Sequence, residues 1–397
     1  MMKPLEIADG IFEVGATDWN IRDFHGYSTK EGSTYNAYLI MDEKITLIDT
    51  VKKEFADDML HKISQIIDPK KIHYVISNHT EMDHSGGLPR IMHKLGEDKP
   101  LYCSKVGYKN LSSHFPQKWN YQPVENGSEL SLGKRTLAFL ETRMLHWPDS
   151  MFTYAKEDKI LFSSDAFGQH YAGPERFDDQ INDAIMPHAR KYFANILLLY
   201  APLILKLVDK VTEMGLEFKM ICPDHGIIWR KDPSKILHAY MEWSQQKPKR
   251  KALVIYDTMW HSTEMMAHAI VDALVQEGVD AKPMHLRNSH RSDIITEVLD
   301  AGAIIMGSPT LNNGLFPTVG DFLTYMKGLK PKNKIAAAFG SYGWSGEAVK
   351  LLNKELEDMK FEVIDPGLRV EFVPDLTSLE ACQALGKKIA DRMPKAS

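Results

Sequence analysis

His79-Thr80-Glu81-Met82-Asp83-His84 places four metal-ligand side chains within six positions. The run before it, Ile72-His73-Tyr74-Val75-Ile76-Ser77, reads as a buried strand, and Ser85-Gly86-Gly87 then turns the chain into a helical pattern. The ligands therefore fall in the loop at a strand's C-terminal end, where backbone is free to bend around an ion. Alternate side chains of an extended segment share one side. The spacing thus predicts that His79, Glu81 and Asp83 converge while His84 reaches over the turn. One ion rarely draws four ligands from six residues; two adjacent ions do.

Three later segments supply the remaining candidates. His146 lies in Met144-Leu145-His146-Trp147-Pro148-Asp149-Ser150, read as a strand end followed by Pro-containing turn chemistry. Asp165 closes the strand Lys159-Ile160-Leu161-Phe162-Ser163-Ser164, and His225 follows Met220-Ile221-Cys222-Pro223-Asp224 and precedes Gly226. If one carboxylate bridges, each of two ions gains four protein ligands and keeps an open position. Isolated histidines such as His61, His93, His114 and His238 are ordinary surface or satisfied core positions. His170 follows Asp165 by a full turn and matches no ligand position. Glu81, standing between two histidines, is a harder donor than imidazole, and mixed His/carboxylate sets with open positions suit iron redox chemistry.

A second domain begins after the polar, Pro-containing stretch Glu242-Trp243-Ser244-Gln245-Gln246-Lys247-Pro248-Lys249-Arg250. The strand Lys251-Ala252-Leu253-Val254-Ile255-Tyr256-Asp257 leads into Thr258-Met259-Trp260-His261-Ser262-Thr263, a hydroxyl-rich loop opening a helix from Glu264 to Gln276. Hydroxyls and free N–H groups at a helix N-terminus make an anion site. Neither G-x-x-x-x-G-K-[ST] nor G-x-G-x-x-G is present there, which argues against a triphosphate or a dinucleotide. Two more loops end predicted strands: Ser308-Pro309-Thr310-Leu311-Asn312-Asn313-Gly314, and Phe339-Gly340-Ser341-Tyr342-Gly343-Trp344-Ser345-Gly346. Both fall at the carboxyl edge of a doubly wound sheet, the usual ligand crevice. Their small residues let backbone approach a flat ring on which Tyr342 or Trp344 can stack.

H-x-E-x-D-H with its later ligands resembles the metallo-β-lactamase fold, and the three loops resemble those that hold FMN in flavodoxins. The two in succession resemble the flavodiiron proteins over nearly all 397 residues. The resemblance implies an α/β chain: an N-terminal metallo-β-lactamase-like αββα sandwich, residues 1–250, then a C-terminal flavodoxin-like doubly wound parallel sheet, residues 251–397. It implies two non-haem irons, one held by His79, Glu81 and His146, the other by Asp83, His84 and His225, with Asp165 bridging and His84 able to swing away. It implies FMN on the three loops and a pocket wall of His25, Trp147 and Phe193. Family members often carry a tyrosine where this chain has Phe193, and the missing hydroxyl counts against strong O2 preference. The activity implied is reduction of O2 to water, NO to N2O, or both, in a head-to-tail homodimer or dimer of dimers fed by a rubredoxin-like donor. The alternative is a dinuclear zinc hydrolase of the same fold with an appended flavodoxin domain, against which Glu81 argues.

Composition fits these expectations. The net charge of −5 argues against a nucleic-acid binder, and three widely spaced cysteines offer neither a disulfide framework nor the C-x-x-C pairs of a fused rubredoxin. Met1-Met2-Lys3-Pro4-Leu5-Glu6 has no apolar leader core, and no 18-residue apolar run is expected, so the reading is cytoplasmic with no membrane contact. Asp49, ending the strand Ile45-Thr46-Leu47-Ile48, is expected to orient backbone at the metal site. Lys327, Lys330, Lys332 and Lys334 are expected to form a positive patch steering an acidic electron donor.

Overall fold

The computed structural model describes residues 3–213 and 215–394; Met1 and Met2, the start of the leader reading, lie outside them. Two compact units divide between Met241 and Glu242, with the short segments Gly26–Ser28 and Ala194–Leu199 grouping with the second. The polar stretch read as a linker is mostly structured: the helix Pro233–Gln245 runs to its middle and the strand Lys249–Tyr256 begins before its end.

Among the described residues the first unit holds two main sheets. One runs Leu5–Ala8, Ile11–Glu13, Tyr38–Ile40, Thr46–Ile48, Tyr74–Ser77, Pro100–Ser104 and Asn120–Val124, parallel from the fourth strand onward. The other runs Glu129–Ser131, Thr136–Glu141, Met151–Ala155, Ile160–Phe162 and Met220–Cys222, with only its last pair parallel. Side chains two apart share a face, and the strands use this. Leu39, Leu47, Val75 and Leu101 meet Met59, Ile63, Ile91 and Met92 of the helices Ala56–Ile66 and Leu88–Leu95. Tyr38, Ile40, Ile48 and Ile76 meet Phe139, Met151 and Phe162 between the sheets. Tyr240 of the helix Pro233–Gln245 packs its ring 4.6 Å from that of Phe167, tilted by 46°, beyond the second sheet. This is the αββα sandwich.

Direction then positions the site. Two antiparallel steps restore a strand's sense, so Thr136–Glu141, Ile160–Phe162 and Met220–Cys222 all point one way. The segments bearing His146, Asp165 and His225 follow their C-terminal ends. His146 itself is not at a strand end as expected but in the loop of residues 142–150, because Thr136–Glu141 stops short of it.

The second unit is one parallel sheet in the order Asp280–His285, Lys249–Tyr256, Ala301–Gly307, Ile335–Tyr342, the last paired with both Glu362–Val363 and Leu368–Glu371. That 2-1-3-4-5 order is flavodoxin-like and reverses direction between the strands starting at Lys249 and Ala301, where a crevice opens. Ala252, Val254, Ala303 and Ile305 meet Met266, Ile270, Leu385 and Ile389 on one face, while Leu253, Ile255, Ile304 and Met306 are buried on the other.

Two expectations change. The helical stretch Asp178–Glu213 contains an 18-residue window apolar enough, by length and composition alone, to cross a membrane. Its apolarity is interrupted by Asn195, Tyr200 and Pro202, and Tyr192, Phe193, Leu197, Ala201 and Ile204 are buried. The lysine patch is reduced by half: Lys330 and Lys332 stay exposed, but the other two are engaged. Lys327 is held by Glu355 at 3.0 Å and Asp358 at 3.2 Å, and the buried Lys334 donates to the Leu299 carbonyl. Both precede the strand Ile335–Tyr342, away from its C-terminal loop.

Candidate functional site

The strand Tyr74–Ser77 delivers Asn78 and His79 into the loop. Asp49 accepts from the Asn78 backbone N–H at 2.7 Å and its side-chain amide at 2.8 Å, fixing the backbone just before the first ligand-type residue. The chain then departs from the extended geometry expected of it, because Met82–Ser85 is a turn of helix. Helical neighbours rotate by about 100° instead of alternating, which carries Asp83 away from the side shared by His79 and Glu81. Two groups result. His79, Glu81, His146 and Asp165 form one and Asp83, His84 and His225 the other, the donor atoms of each within 4.8 Å of one another.

Asp165 faces both groups. Its Oδ2 lies 3.3 Å from Nε2 of His79 and of His146, and its Oδ1 3.3 Å from Nε2 of His84 and of His225. Glu81 Oε2 closes the first group at 3.3 Å from His79 and 3.1 Å from His146, and Asp83 Oδ2 closes the second at 3.3 Å from His84 and 3.2 Å from His225. Asp83 Oδ1, His84 Nε2 and Asp165 Oδ2 are buried without a hydrogen-bond partner. Such orphaned donors converging on two points fit two cations, and the mixed nitrogen and carboxylate set fits iron.

Charge reinforces the arrangement. Burial alone would lower the histidine pKa values, but Asp149 and Glu81 reverse this for His79, and Asp165 and Asp83 do so for His225, holding both well above the ordinary value. His84 is pushed up to about 9, the charges of Asp83 and Asp165 outweighing its burial. Burial would raise Asp165, yet the imidazoles of His84, His146 and His225 pull it well below the usual carboxylate range.

An outer layer orients the imidazoles. His79 Nδ1 donates to Asp149 at 3.1 Å, and Asp149 also accepts from the Thr80 N–H at 2.8 Å. His225 Nδ1 donates to the Thr34 carbonyl at 2.6 Å. Gly226 must be glycine: its φ is +79°, and a Cβ would lie 2.1 Å from Gln169 Oε1.

The three expected wall residues fare differently. His25, with its side chain 77% exposed, lies 3.8 Å from Glu81 Oε1, and the Trp147 ring stands perpendicular to His79 at 5.0 Å. Phe193 is fully buried against Tyr240, its ring 5.0 Å away. A hydroxyl does reach the site from the neighbouring Tyr192, which donates to Asp165 Oδ1 at 2.8 Å. His170 is outside both groups, as expected, but its ring lies 4.8 Å from that of His225 and it shares a 2.8 Å hydrogen bond with Ser33. Asp149 and Tyr192 were missed, although Asp149 sits in the very turn quoted for His146.

In the second unit, a cleft of about 600 Å³ is lined by Met259, Trp260 and Ser262 of the first loop, Pro309 to Asn313 of the second and Ser341 to Ser345 of the third, with Phe372 and Val373 added from beyond the sheet's last strand. Thr263 Oγ1 and Ser341 Oγ tie two of these loops at 2.9 Å. Phe339 and Gly340 stay within the strand and outside the lining. Thr258 Oγ1 is buried without a partner, four residues ahead of the helix Ser262–Gln276. An orphan hydroxyl beside a helix N-terminus and an aromatic cleft fit the phosphate and ring of FMN. Trp260 and Trp344 are 87% and 85% exposed at its mouth.

Comparison with known proteins matches both domains. Residues 34–226 match the ODP family of β-lactamases and residues 254–386 the flavodoxin family. A nitric oxide reductase of Moorella thermoacetica is 49% identical over 99% of this chain and 100% of its own length. The structure of rubredoxin oxygen:oxidoreductase from the anaerobe Desulfovibrio gigas superposes with a TM-score of 0.96 at 45% identity, covering 98% of each chain. That of the flavodiiron protein from Giardia intestinalis gives 0.95 at 37%, covering 99% of this chain and 97% of its own. With relatives this similar over its whole length, and with a sandwich and a flavodoxin sheet in the same succession, the chain belongs to the flavodiiron proteins.

Proposed function

We propose that this chain is an oxidoreductase reducing O2 to water, NO to N2O, or both, at two irons held by residues of 1–250, with electrons passed through FMN bound by residues of 251–397. The observation that carries the reading is Asp165, which offers one oxygen to each of two ligand groups, the first containing Glu81. His79, Glu81 and His146 would hold one iron and Asp83, His84 and His225 the other, with Asp165 offering an oxygen to each. When bound, two ferrous ions and reduced FMN supply the four electrons that take O2 to two waters, or the two that take two NO to N2O and water. Tyr192 holds a proton at Asp165 Oδ1, and its own pKa is raised by burial and by that carboxylate. His25 stands at the solvent edge beside Glu81, and Trp147 packs edge-on against His79. A zinc hydrolase is not favoured, since Glu81 replaces the softer imidazole.

Purified protein expressed with iron is expected to contain about two irons and one FMN per chain and to consume added O2 or NO with reduced rubredoxin. Full zinc occupancy with no flavin would sink the assignment. Tyr192→Phe is expected to keep both irons and lose on the order of 10–100-fold in turnover, while Phe193→Tyr buries a new hydroxyl at a cost of about 1–3 kcal/mol. Equal turnover in wild type and Tyr192→Phe would free the hydroxyl of any role.

A head-to-tail homodimer is the expected assembly. Trp260, Trp344, Phe372, Val373 and Leu376 are all exposed in the flavin domain, and apolar surface of this kind ordinarily marks an interaction site. A monodisperse monomer by sedimentation that still turned over rapidly would count against it. Three unpaired cysteines, all buried, favour a reducing compartment and hence the cytoplasm.

A further inference from the structure

Two imidazoles of the dinuclear site have their outer nitrogens settled by fixed acceptors, Asp149 behind His79 and the Thr34 carbonyl behind His225. His84 is different. Its Nδ1 is buried with no hydrogen-bond partner, and Asp224 Oδ2 stands 3.7 Å away, just beyond bonding distance. Neither carboxylate oxygen of Asp224 has a partner either, and both side chains are wholly buried.

The backbones carrying this pair are pinned. The His84 carbonyl accepts from Thr50 N at 3.1 Å and Thr50 Oγ1 at 2.5 Å. Asp224 donates its N–H to the Ser164 carbonyl at 2.8 Å, and its own carbonyl accepts from Asn36 N at 2.7 Å. Only side-chain torsion is left, and an N–H···O bond of about 2.9 Å needs less than an ångström of travel. A buried carboxyl without donors is costly, so its presence asks for a use. Asp49, another buried acid nearby, is already engaged twice by Asn78.

We propose that Asp224 is the positioning residue for His84: it accepts the Nδ1 proton and so keeps Nε2 turned toward the position shared with Asp83 and His225. This rests on the dinuclear reading above and adds to it an asymmetry. The His79 position is backed by a hydrogen bond already made, whereas the His84 position depends on one that closes only when the ring is seated. Asp224 touches no reacting atom and acts through the imidazole alone.

The test is anaerobic titration of ferrous iron into the metal-free full chain, for wild type, D224A, D224N, H84A and the double variant D224A/H84A. Wild type takes up two ions. D224A binds its first ion as wild type does and its second on the order of 10–100-fold more weakly. D224N, which keeps an acceptor of the same shape, falls between them, and it decides the matter if D224A fails to fold. The double variant is no worse than H84A, because a residue acting only through the ring has nothing left to do once the ring is gone. Unchanged second-ion affinity in D224A and D224N, equal weakening at both positions, or losses that add to those of H84A would each overturn the assignment. A wild type that takes up only one ion overturns the dinuclear reading instead.

Discussion

Asp165→Ala is expected to strip both metals from the protein, while His84→Ala weakens one position and leaves the other. Among the described residues Asp165 alone offers an oxygen to each group, with four imidazole nitrogens at 3.3 Å around its two oxygens. Removing it leaves those imidazoles facing one another without the anion that separates them, and deprives the Tyr192 hydroxyl of its acceptor. Breaking a buried charged cluster by deleting one partner costs about 3–5 kcal/mol of stability, and loss of a carboxylate shared by both positions weakens both. A terminal imidazole can be replaced by water, so His84→Ala should retain the ion held by His79, Glu81 and His146. Elemental analysis after desalting reads this directly, with flavin content as the internal control, since the cleft shares no residue with the metal groups. Equal iron loss in the two variants would show that the bridge is misassigned.

The ligand set was legible because its chemistry is concentrated. Four donors within six residues admit few explanations, and His146, Asp165 and His225 follow strands that apolar runs reveal. The pairing inside the set came through the family resemblance, which put Asp83 and His84 with His225, and not through the spacing. An extended segment was the natural reading of residues 79–84, and it groups Asp83 with His79 and Glu81. A single helical turn at Met82–Ser85, fixed by contacts distant in sequence, sends Asp83 and His84 to His225 instead. The same limit explains Tyr192 and Phe193. Both are aromatic and adjacent, and which one faces Asp165 depends on the local winding, where α-helix gives way at Phe193 to a wider turn. In the flavin domain the three loops were readable from hydroxyls and small residues at strand ends. Phe372 and Val373 carried no such signal, being two apolar residues after a short strand that only the sheet order brings to the cleft. Lys327 misled for the reason that lysines usually do: charge is visible in sequence, but the acids that neutralise it arrive from another helix.

Metal uptake should be steeply pH dependent, and the direction follows from the site without its ions. There His79 and His225 have pKa values well above the ordinary one, His146 is raised and His84 sits at about 9, each despite burial, because carboxylates surround them. Asp83, Glu81 and Asp165 are displaced the other way, their burial overcome by those same imidazoles. The metal-free site is therefore held together by imidazolium–carboxylate pairs. The histidine contribution to stability is complete below the unfolded value of about 6.5 and fades as pH rises through the raised folded values, about 9 for His84. The carboxylate contribution is complete above the unfolded value of about 4 and fades as pH falls through the lowered ones. Both are complete together between about pH 4 and 6.5. Iron must displace the histidine protons, so each one displaced weakens apparent affinity about tenfold per pH unit below the raised pKa. Loading two ferrous ions near neutral pH should release up to about four protons per chain, read by an indicator in weak buffer. Acidifying the loaded protein to about pH 5 should then release iron while the chain stays folded, because protons take the place of the cations between the same ligands. Thermal melts of the metal-free protein should peak on the acid side of neutrality and fall by pH 9.5, with no matching fall in the iron-loaded form. Metal binding without proton release would mean that the imidazoles are already neutral in the empty site, and the electrostatic account of its preorganisation would have to be abandoned.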